Sequence, residues 1–402
     1  MSRKIPETPF GYPWPPHVLD DPYPFYAQLR AEAPVARVPG TDVFVLSRYG
    51  DVEAALRDWR AFSSAEGPTY ARIKIGGAVS LDPPEHTRVR RLAQVCFRPS
   101  KTRALEARVE EIVAERLDRA LESGEVEFVE AVTDVLPILM ICHLLELPTA
   151  DAPMFRRWAD EAFEMNSAVS ADAVSSVVDS FAASLEYFSA VLAERAANPG
   201  DDPFSILLQP TPDGERLADD EILTMARGLL TAGNGTTRAL LGNGTWCLAR
   251  NPDQWELLRS RPELADDTVE ETLRYESPLQ GFFRTVTEPL ELRGVETPAG
   301  ARVFLLYGSA NRDEEVYPDA ASYRVARPAS GHLAFGAGPH FCLGSDLARL
   351  QGRVLFREMA RRFDRLELSD EARLRATPVS RGVSRLPLRI TAQRRRKVIA
   401  HA

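Results

Sequence analysis

The sequence has few of the cysteines that build zinc centres and disulfide frameworks. Its 402 residues include four cysteines, Cys96, Cys142, Cys247 and Cys342, and no two of them form a CxxC pair. This wide spacing argues against a zinc or dithiol redox motif and favours free thiols. The first residues contain no apolar run long enough for a signal peptide or a membrane span, so we expect a soluble, cytoplasmic protein.

An excess of positive charge is also missing. The formal net charge of −9 argues against a general nucleic-acid-binding protein. The basic run 394–397, in the tail 393–402, is short and terminal, which is typical of a solvated chain end. No predicted strand is followed by a GxGxxG run, so a flavin or nicotinamide site is not indicated and any reductase would be a separate protein.

Helical periodicity is what the sequence has in abundance. A proline-rich segment, 1–20, is followed by a predicted hairpin in 35–46, and apolar residues recur at helical spacing from residue 84 onward. No stretch has the composition of a linker, so we expect a single domain, 1–402, that is mainly α with small β-sheets. The predicted helices are 25–33, 84–96, 101–122, 129–145, 152–165, 173–197, 219–250, 253–259, 268–276 and 345–362, with strands in 290–304, 366–368 and 386–390.

The glycine-rich segment His332–Gly344 contains one cysteine, Cys342, just before the last predicted helix. A thiolate is a strong, soft iron ligand, and glycines allow backbone N–H groups to approach its sulfur closely. A cysteinate below a haem iron pushes electron density onto the iron and favours O–O cleavage. The alternative interpretation is a buried structural cysteine in a tight turn.

The same segment resembles the haem-binding signature of the cytochrome P-450 family, which reads Phe, Gly, any, Gly, any, His or Arg, any, Cys, any, Gly. Here that pattern runs from Phe335 to Gly344. The resemblance covers essentially the whole chain and is to soluble bacterial members. It implies a triangular, α-rich, single-domain fold with a buried haem b, and it implies that Cys342 is the axial ligand of the iron.

The propionates of haem need hydrogen-bond donors. His86 and Arg90 stand at i and i+4 of a predicted helix and so share one face. Together with Arg284 and His340 they match the propionate-contacting positions of the family, where arginine binds carboxylates strongly. A solvated surface charge is the alternative for each of these residues taken alone.

Three further residues match a structural motif of the family. Glu271 and Arg274, at i and i+3 of a predicted helix, can form an ion pair. The resemblance adds Arg327 as a third member and implies that the cluster holds the core near the thiolate loop. Because a buried Glu–Arg–Arg cluster must satisfy itself, we predict a structural role and not a chemical one.

The segment Leu230–Thr237 resembles the oxygen-activation motif of the family, Ala-Gly-x-Asp/Glu-Thr. Its glycines weaken a helix, so we predict a local opening there that makes room for dioxygen, with Thr236 assisting protonation. The expected acid is replaced by Gly235. A water chain, or Asn234 after reorientation, could relay protons instead, or the enzyme could use hydrogen peroxide directly.

The substrate is predicted from apolar and aromatic side chains at positions near the haem face. They suggest a small hydrophobic or aromatic molecule, with Arg72 or Lys74 available for a carboxylate. The alternative is that these aromatics belong to the core. The predicted pocket residues are Ile75, Thr231, Ala232, Phe282 and Phe283.

The function we predict is that of a haem-thiolate monooxygenase that hydroxylates or O-demethylates its substrate with O2 and electrons from an iron–sulfur ferredoxin. A monomer is expected. The alternatives are an H2O2-dependent peroxygenase and a non-catalytic partner protein of the same fold. An acidic ferredoxin would be steered by a basic patch. The predicted patch is Arg88, Arg91, Arg98, Lys101, Arg103, Arg349 and Arg353.

Overall fold

The computed structural model describes residues 5–74, 77–97, 99–164 and 178–393. Helices dominate it, as the sequence predicts. They are α1 (Pro16–Asp20), α2 (Tyr23–Glu32), α3 (Tyr49–Arg57), α4 (Glu85–Ala93), α5 (Pro99–Ser123), α6 (Leu136–Leu145), α7 (Ala152–Glu164), α8 (Val178–Ala197), α9 (Pro203–Leu208), α10 (Asp219–Arg250), α11 (Pro252–Ser260), α12 (Ala265–Tyr275), α13 (Tyr307–Ala310) and α14 (Ser345–Arg362).

The strands are short and form small sheets, which confirms the predicted mainly α fold with small β-sheets. They are β1 (Val35–Arg37), β2 (Val43–Leu46), β3 (Phe62–Ser63), β4 (Glu125–Glu127), β5 (Phe282–Val286), β6 (Leu290–Leu292), β7 (Val295–Thr297), β8 (Arg302–Leu305), β9 (Phe363–Leu368), β10 (Arg373–Ala376), β11 (Arg381–Arg385) and β12 (Pro387–Ala392). The largest sheet has the order β1-β2-β8-β5-β3, antiparallel except for the parallel pair β2 and β8. A second sheet has the order β4-β12-β9, and β6–β7 and β10–β11 are hairpins.

The long helix α10 positions the site. Its first turn is acidic, which suits the positive end of a helix dipole, and the Glu221 carboxylate accepts a hydrogen bond from the Ala218 N–H at 2.8 Å. It ends before Pro252, which disfavours α conformation at Asn251. The helix runs unbroken through Gly233 and Gly235, so the predicted local opening is wrong. Burial of its second half supplies stability that outweighs the cost of two glycines.

The two halves of α10 have different surroundings. From Ala239 to Leu248 every residue is buried, and these residues pack with α5, α12 and α14 in the largest apolar cluster. In the first half, Gly228 and Ala232 are exposed and Thr236 is half-exposed. These three stand four residues apart and share one face. That face of α10 is therefore left uncovered by the described residues, and we call the space over it the cleft.

Some predicted boundaries are wrong for identifiable reasons. The predicted helix 129–145 is divided into a π-helical turn, Val129–Thr133, and α6, with Pro137 in the first turn of α6. Strands β5, β10 and β11 were not predicted, since each is short and stabilised by a distant or irregular partner. Residues 173–177 of one predicted helix lie outside the described residues. None of the described helices has the length and apolarity that a membrane span requires.

Candidate active site

The loop before α14 holds Cys342 in a fixed position. The Cys342 N–H donates to the Phe335 carbonyl at 2.9 Å, which closes the loop. Gly338 has a φ of +65°, and a Cβ there would lie 2.7 Å from the Leu56 carbonyl oxygen on α3. Only glycine allows this conformation together with this close approach. The signature glycine thus sets the distance between the loop and α3.

The Cys342 thiol is placed where a thiolate can be stabilised. Burial raises its pKa, while the Gly344 backbone N–H and the charges of Arg90 and Arg349 act in the opposite direction. An N–H aimed at sulfur stabilises the anion and moderates its basicity as a ligand. The environment therefore suits a sulfur whose charge is neutralised further by a metal ion.

His86 and His340 meet next to this loop. Their ring centroids lie 4.3 Å apart, and His340 Nε2 lies 3.1 Å from Ser64 Oγ. His86 is 2% exposed, and neither of its ring nitrogens has a hydrogen-bond partner within the described parts of the chain. Burial lowers the pKa of each histidine, and the charges of Arg90 and Arg284 lower both further. Two neutral imidazoles thus lie among cations.

Arg90 and Arg284 complete this group, which we call the open cluster: His86, Arg90, Arg284 and His340. Arg90 Nη2 donates to the Phe341 carbonyl at 2.5 Å, and Arg284 Nη1 donates to the Phe283 carbonyl at 2.9 Å. Neither guanidinium forms an ion pair with a described carboxylate. The structure therefore brings together all four residues predicted to hold the propionates.

The open cluster fits an anionic ligand. The acid whose charge acts on His86 is Asp82, and its oxygens already accept from Ser63 Oγ at 2.5 Å and from the Ser64 N–H at 2.8 Å. Buried donors without partners are costly. A carboxylate entering the cluster would accept a hydrogen bond from the one ring N–H of neutral His86 and would pair with the two arginines. The propionates of the predicted haem supply such groups, beside a cysteine that suits iron.

Glu271, Arg274 and Arg327 form a cluster of the opposite kind, which we call the closed cluster. Arg274 binds the fully buried Glu271 through two contacts of 2.7 and 2.8 Å, and Arg327 Nε reaches the same carboxylate at 3.2 Å. The remaining N–H groups of Arg274 donate to the carbonyls of Asn311, Ala320 and Ser322. Its hydrogen bonds are complete without a ligand.

One further cluster was not predicted from the sequence. Glu270 receives Arg349 Nε at 2.7 Å, and His332 Nε2 lies 3.2 Å from its other oxygen. His332 Nδ1 in turn accepts the Ala334 N–H at 3.2 Å. This cluster ties α12 and α14 to the start of the cysteine loop. Its only sequence signal was the histidine that opens the glycine-rich segment.

The residues of the oxygen-activation motif point in different directions. Thr236 Oγ1 donates to the Ala232 carbonyl at 2.6 Å, on the face that lines the cleft. Asn234 is 1% exposed, and its amide nitrogen lies 3.4 Å from Asp160 on α7. Asn234 therefore faces α7 and not the cleft. The hypothesis that it replaces the missing acid at Gly235 requires a rotation that this packing opposes.

The predicted substrate residues divide between the cleft and the core. Phe283 is fully buried and stacks on Phe304 with ring centroids 4.4 Å apart, so its prediction as a pocket residue is wrong. Phe282 is half-buried on the opposite face of β5, because side chains alternate along a strand. Ala232 lies on the cleft face, and Thr231 lies beside it against α7 and α8. Ile75 lies outside the described residues.

The predicted basic patch is largely neutralised by acidic partners. Arg88 pairs with Glu85 and Glu221, and Arg353 pairs with Glu106. Arg91, Lys101 and Arg349 also form ion pairs, with Glu215, Glu146 and Glu270. Arg98 and the side chain of Arg103 lie outside the described residues. The patch is therefore a mixed-charge surface.

Comparisons with known proteins agree with this site. The sequence matches the family model "Cytochrome P450" over residues 194–393. It is 35% identical over 386 residues to cytochrome P450 107B1 of Saccharopolyspora erythraea, covering 90% of this chain and 94% of that protein. The structure is similar to CYP109Q5 from Chondromyces apiculatus, with a TM-score of 0.86, 34% identity and coverage of 94% and 97% of the two chains.

A further solved relative is cytochrome P450 CREJ in complex with (4-ethylphenyl) dihydrogen phosphate, with a TM-score of 0.87, 28% identity and coverage of 96% of this chain and 99% of that one. The fold and the cysteine loop thus define a haem-thiolate oxygenase. The chain belongs to the cytochrome P450 family, whose members bind haem b and act as monooxygenases.

Proposed function

We propose that this chain inserts one oxygen atom of O2 into a small apolar or aromatic organic substrate, by hydroxylation or O-demethylation. In a hydroxylation, the substrate C–H, O2, two electrons and two protons give an alcohol and water. When bound, haem supplies the iron chemistry that activates dioxygen. The observation that carries this proposal is the open cluster beside Cys342, where the buried ring nitrogens of His86 lack described partners and two arginines lack an acid.

We assign the residues as follows. Cys342 would ligate the iron, with the Gly344 N–H directed at its sulfur. The open cluster would bind the propionates, and the closed cluster would hold α12 against the segment before the cysteine loop. The open cluster, whose hydrogen bonds are incomplete, is thus assigned a binding role. The closed cluster, whose hydrogen bonds are complete, is assigned a scaffold role.

The residues of the cleft would hold the substrate and move protons. Thr236 can release its intrahelical bond to Ala232 and present its hydroxyl to the cleft. Phe282, Ala232 and Thr231 would contact the substrate. The phosphate ester bound by the CREJ relative contains one aromatic ring, which supports a substrate of that size.

The redox partner we propose is an iron–sulfur ferredoxin with a separate NAD(P)H reductase. The ion pairs on the predicted basic patch imply that docking depends on shape and on a few cations more than on a strong positive field. We also infer a single-domain, monomeric, cytoplasmic protein, which size-exclusion chromatography with light scattering and cell fractionation would test.

The test of the function has two stages. The reduced protein with carbon monoxide should show the red-shifted Soret band of a thiolate-ligated haem. A spectral titration with small aromatic acids, phenols, terpenes and fatty acids then selects a substrate. Product should form with O2, ferredoxin, reductase and NAD(P)H. A haem-loaded protein that binds substrate and forms no product under these conditions contradicts the monooxygenase proposal.

The peroxygenase is retained as a second candidate because of one observation. Gly235 stands where an acid is expected, and Asn234 faces α7. Hydrogen peroxide already carries the electrons and protons that the O2 reaction must receive. Product formation with peroxide alone, at a rate above that of the ferredoxin system, would favour this candidate.

A further inference from the structure

A fully buried serine outside the open cluster contacts one of its histidines. Ser64 directly follows β3 and is 0% exposed. Its Oγ lies 3.1 Å from His340 Nε2, and this is the only hydrogen bond of that hydroxyl within the described residues. A buried hydroxyl proton without an acceptor costs free energy. The Ser64 O–H is therefore best satisfied by donating to His340 Nε2.

This hydrogen bond decides which ring nitrogen of His340 carries the proton. Nε2 accepts the Ser64 proton with its lone pair, so the ring proton must lie on Nδ1. The described parts of the chain supply no hydrogen-bond partner for Nδ1. His340 thus keeps one N–H donor available to a ligand. The opposite tautomer would offer a lone pair on Nδ1 instead, and a lone pair repels a carboxylate.

Asp82 holds Ser64 in place from the other side. Its carboxylate accepts the Ser64 N–H at 2.8 Å and Ser63 Oγ at 2.5 Å, and Ser63 Oγ in turn accepts the Ala65 N–H at 3.0 Å. Both the main chain and a side chain of this turn are therefore fixed by one carboxylate. The position of the Ser64 hydroxyl is set independently of the His340 ring.

The same aspartate is connected to the other histidine of the open cluster. The Asp82 carbonyl accepts the His86 N–H at 2.9 Å, in the first turn of α4. Asp82 thus positions His86 through the main chain and His340 through Ser64, and the two rings lie with centroids 4.3 Å apart. A site whose side chains are already oriented loses less entropy when it binds a ligand.

We propose that Ser64 is a positioning residue for the cofactor, which selects the form of His340 that carries its proton on Nδ1, so that this ring meets a haem propionate with a donor. Ser64 acts through His340 and needs no contact of its own with the carboxylate. The proposal rests on the proposed function, which it deepens by naming the residue that prepares the open cluster for an anion.

The experiment reads the tautomer in the ferrous carbon monoxide form of the holoprotein, which is diamagnetic. The chain has six histidines, so isotope-labelled histidine gives a simple long-range proton–nitrogen correlation spectrum. His340→Arg assigns the His340 signals by their loss. Nδ1 of His340 should be protonated and Nε2 should not. A proton on Nε2 in the wild type overturns the proposal.

Removal of the hydroxyl should release the tautomer. In Ser64→Ala a second set of His340 signals, with the proton on Nε2, should appear. Haem transfer to apomyoglobin should accelerate about fivefold, the value of one hydrogen bond between neutral groups. Ser64→Cys has a similar size and a weak S–H donor, so it should restore part of the wild-type tautomer. An unchanged tautomer in Ser64→Ala contradicts the proposal.

The matched control is Ser47→Ala. Ser47 is likewise 0% exposed, and its Oγ donates to the Pro34 carbonyl at 3.2 Å. The variant therefore removes the same hydroxyl from a buried site that does not contact the open cluster. It should change neither the His340 tautomer nor the rate of haem transfer. Equal transfer rates in Ser64→Ala and Ser47→Ala would reduce Ser64 to a residue of the core and overturn the proposal.

A double-mutant cycle tests whether Ser64 acts through His340. The family signature accepts arginine at this position, and a guanidinium has donors only and no tautomers. In the His340→Arg background, Ser64→Ala should leave haem transfer unchanged within about twofold, the usual tolerance for independent sites. An acceleration as large as in the wild type would overturn the proposal. Failure of the haem-thiolate assignment would appear separately, as a missing thiolate carbon monoxide spectrum in the wild type.

Discussion

The open and closed clusters each contain a buried arginine, yet they differ in whether their hydrogen bonds are complete. In the closed cluster, the Arg274 guanidinium is 0% exposed and contacts one carboxylate and three carbonyls. In the open cluster, His86 is 2% exposed and both ring nitrogens lack described partners. The first cluster satisfies its own hydrogen bonds, whereas the second leaves ring nitrogens open to a ligand.

This difference separates a scaffold from a binding site without reference to any relative. A buried polar group without a partner costs free energy, so a native protein retains such groups where something else completes them. Saturation of hydrogen bonds can thus assign a role where residue type does not, since arginine occurs in both clusters. Substitutions should then affect ligand binding in one cluster and stability in the other.

Loss of the cysteine should have the largest effect, because it removes the proposed iron ligand beside the open cluster. Cys342→Ala should abolish turnover and the thiolate carbon monoxide spectrum, since alanine cannot donate electron density to iron. Turnover with reductase and ferredoxin measures this. Cys247→Ala, in a fully buried thiol of the core, is the control and should retain the spectrum. Oxygenase turnover in haem-loaded Cys342→Ala protein would refute the assignment.

Breaking the closed cluster should cost stability. Arg274→Ala leaves the Glu271 carboxylate buried without its bidentate partner, and we expect a loss of about 3–5 kcal/mol in the free energy of unfolding. Urea denaturation measures it. The control Arg259→Ala removes a partly exposed i, i+3 pair with Glu256 and a longer contact to Asp364, and should cost less than about 1 kcal/mol. Equal losses in the two variants would contradict the distinction.

The cluster of Glu270, His332 and Arg349 should make the free energy of unfolding depend on pH in the acidic range. Burial alone would raise the pKa of Glu270, but hydrogen bonds from His332 and Arg349 outweigh it and lower that pKa to about 2. A lowered pKa stabilises the fold above the unfolded-state value, and the contribution is lost as the pH falls. Between pH 5 and pH 3 the loss should be about 2 kcal/mol.

Comparison of Glu270→Gln with the wild type isolates the contribution of the Glu270 carboxylate to the free energy of unfolding. The variant should be less stable at pH 5, and the gap should narrow toward pH 3, because glutamine does not titrate. Urea denaturation at the two pH values measures both free energies. A gap that stays constant with pH would show that Glu270 does not titrate in this range.

The sequence predicts the chemistry of this site better than its geometry. The cysteine loop, α10 and the mainly α fold follow from local signals, namely glycine spacing and apolar periodicity. The direction of individual side chains does not. Phe282 and Phe283 are adjacent and equally aromatic, but strand alternation leaves Phe282 half-buried against Tyr307 and buries Phe283 fully against Phe304. Likewise, nothing local shows that Arg72 pairs with Glu66 while Arg227 pairs with no described acid.

Disruption of the open cluster should affect haem retention and spare the fold. His86→Phe removes two unpartnered nitrogens, so the unfolding free energy of the apoprotein should change by less than about 1 kcal/mol. Haem transfer to apomyoglobin should accelerate about tenfold or more, the value of a hydrogen bond to a charged group. His17→Phe, at an exposed position, should change neither quantity. A loss of stability as large as that of Arg274→Ala would make the open cluster a scaffold.

The smallest expected effect concerns the missing acid. Gly235→Asp places a carboxylate three residues before Arg238, where an i, i+3 pair can hold it. If the wild type already has a water route for protons, the fraction of electrons recovered as product with O2 should rise by less than about tenfold. A positioned general acid, by comparison, typically raises a rate by about a hundredfold or more. The control Gly235→Ala tests the loss of helix glycine alone. Equal coupling in both variants would show that protons reach the cleft without any acid at this position. The molecules bound in the cleft would then affect coupling more than residue 235 of α10 does.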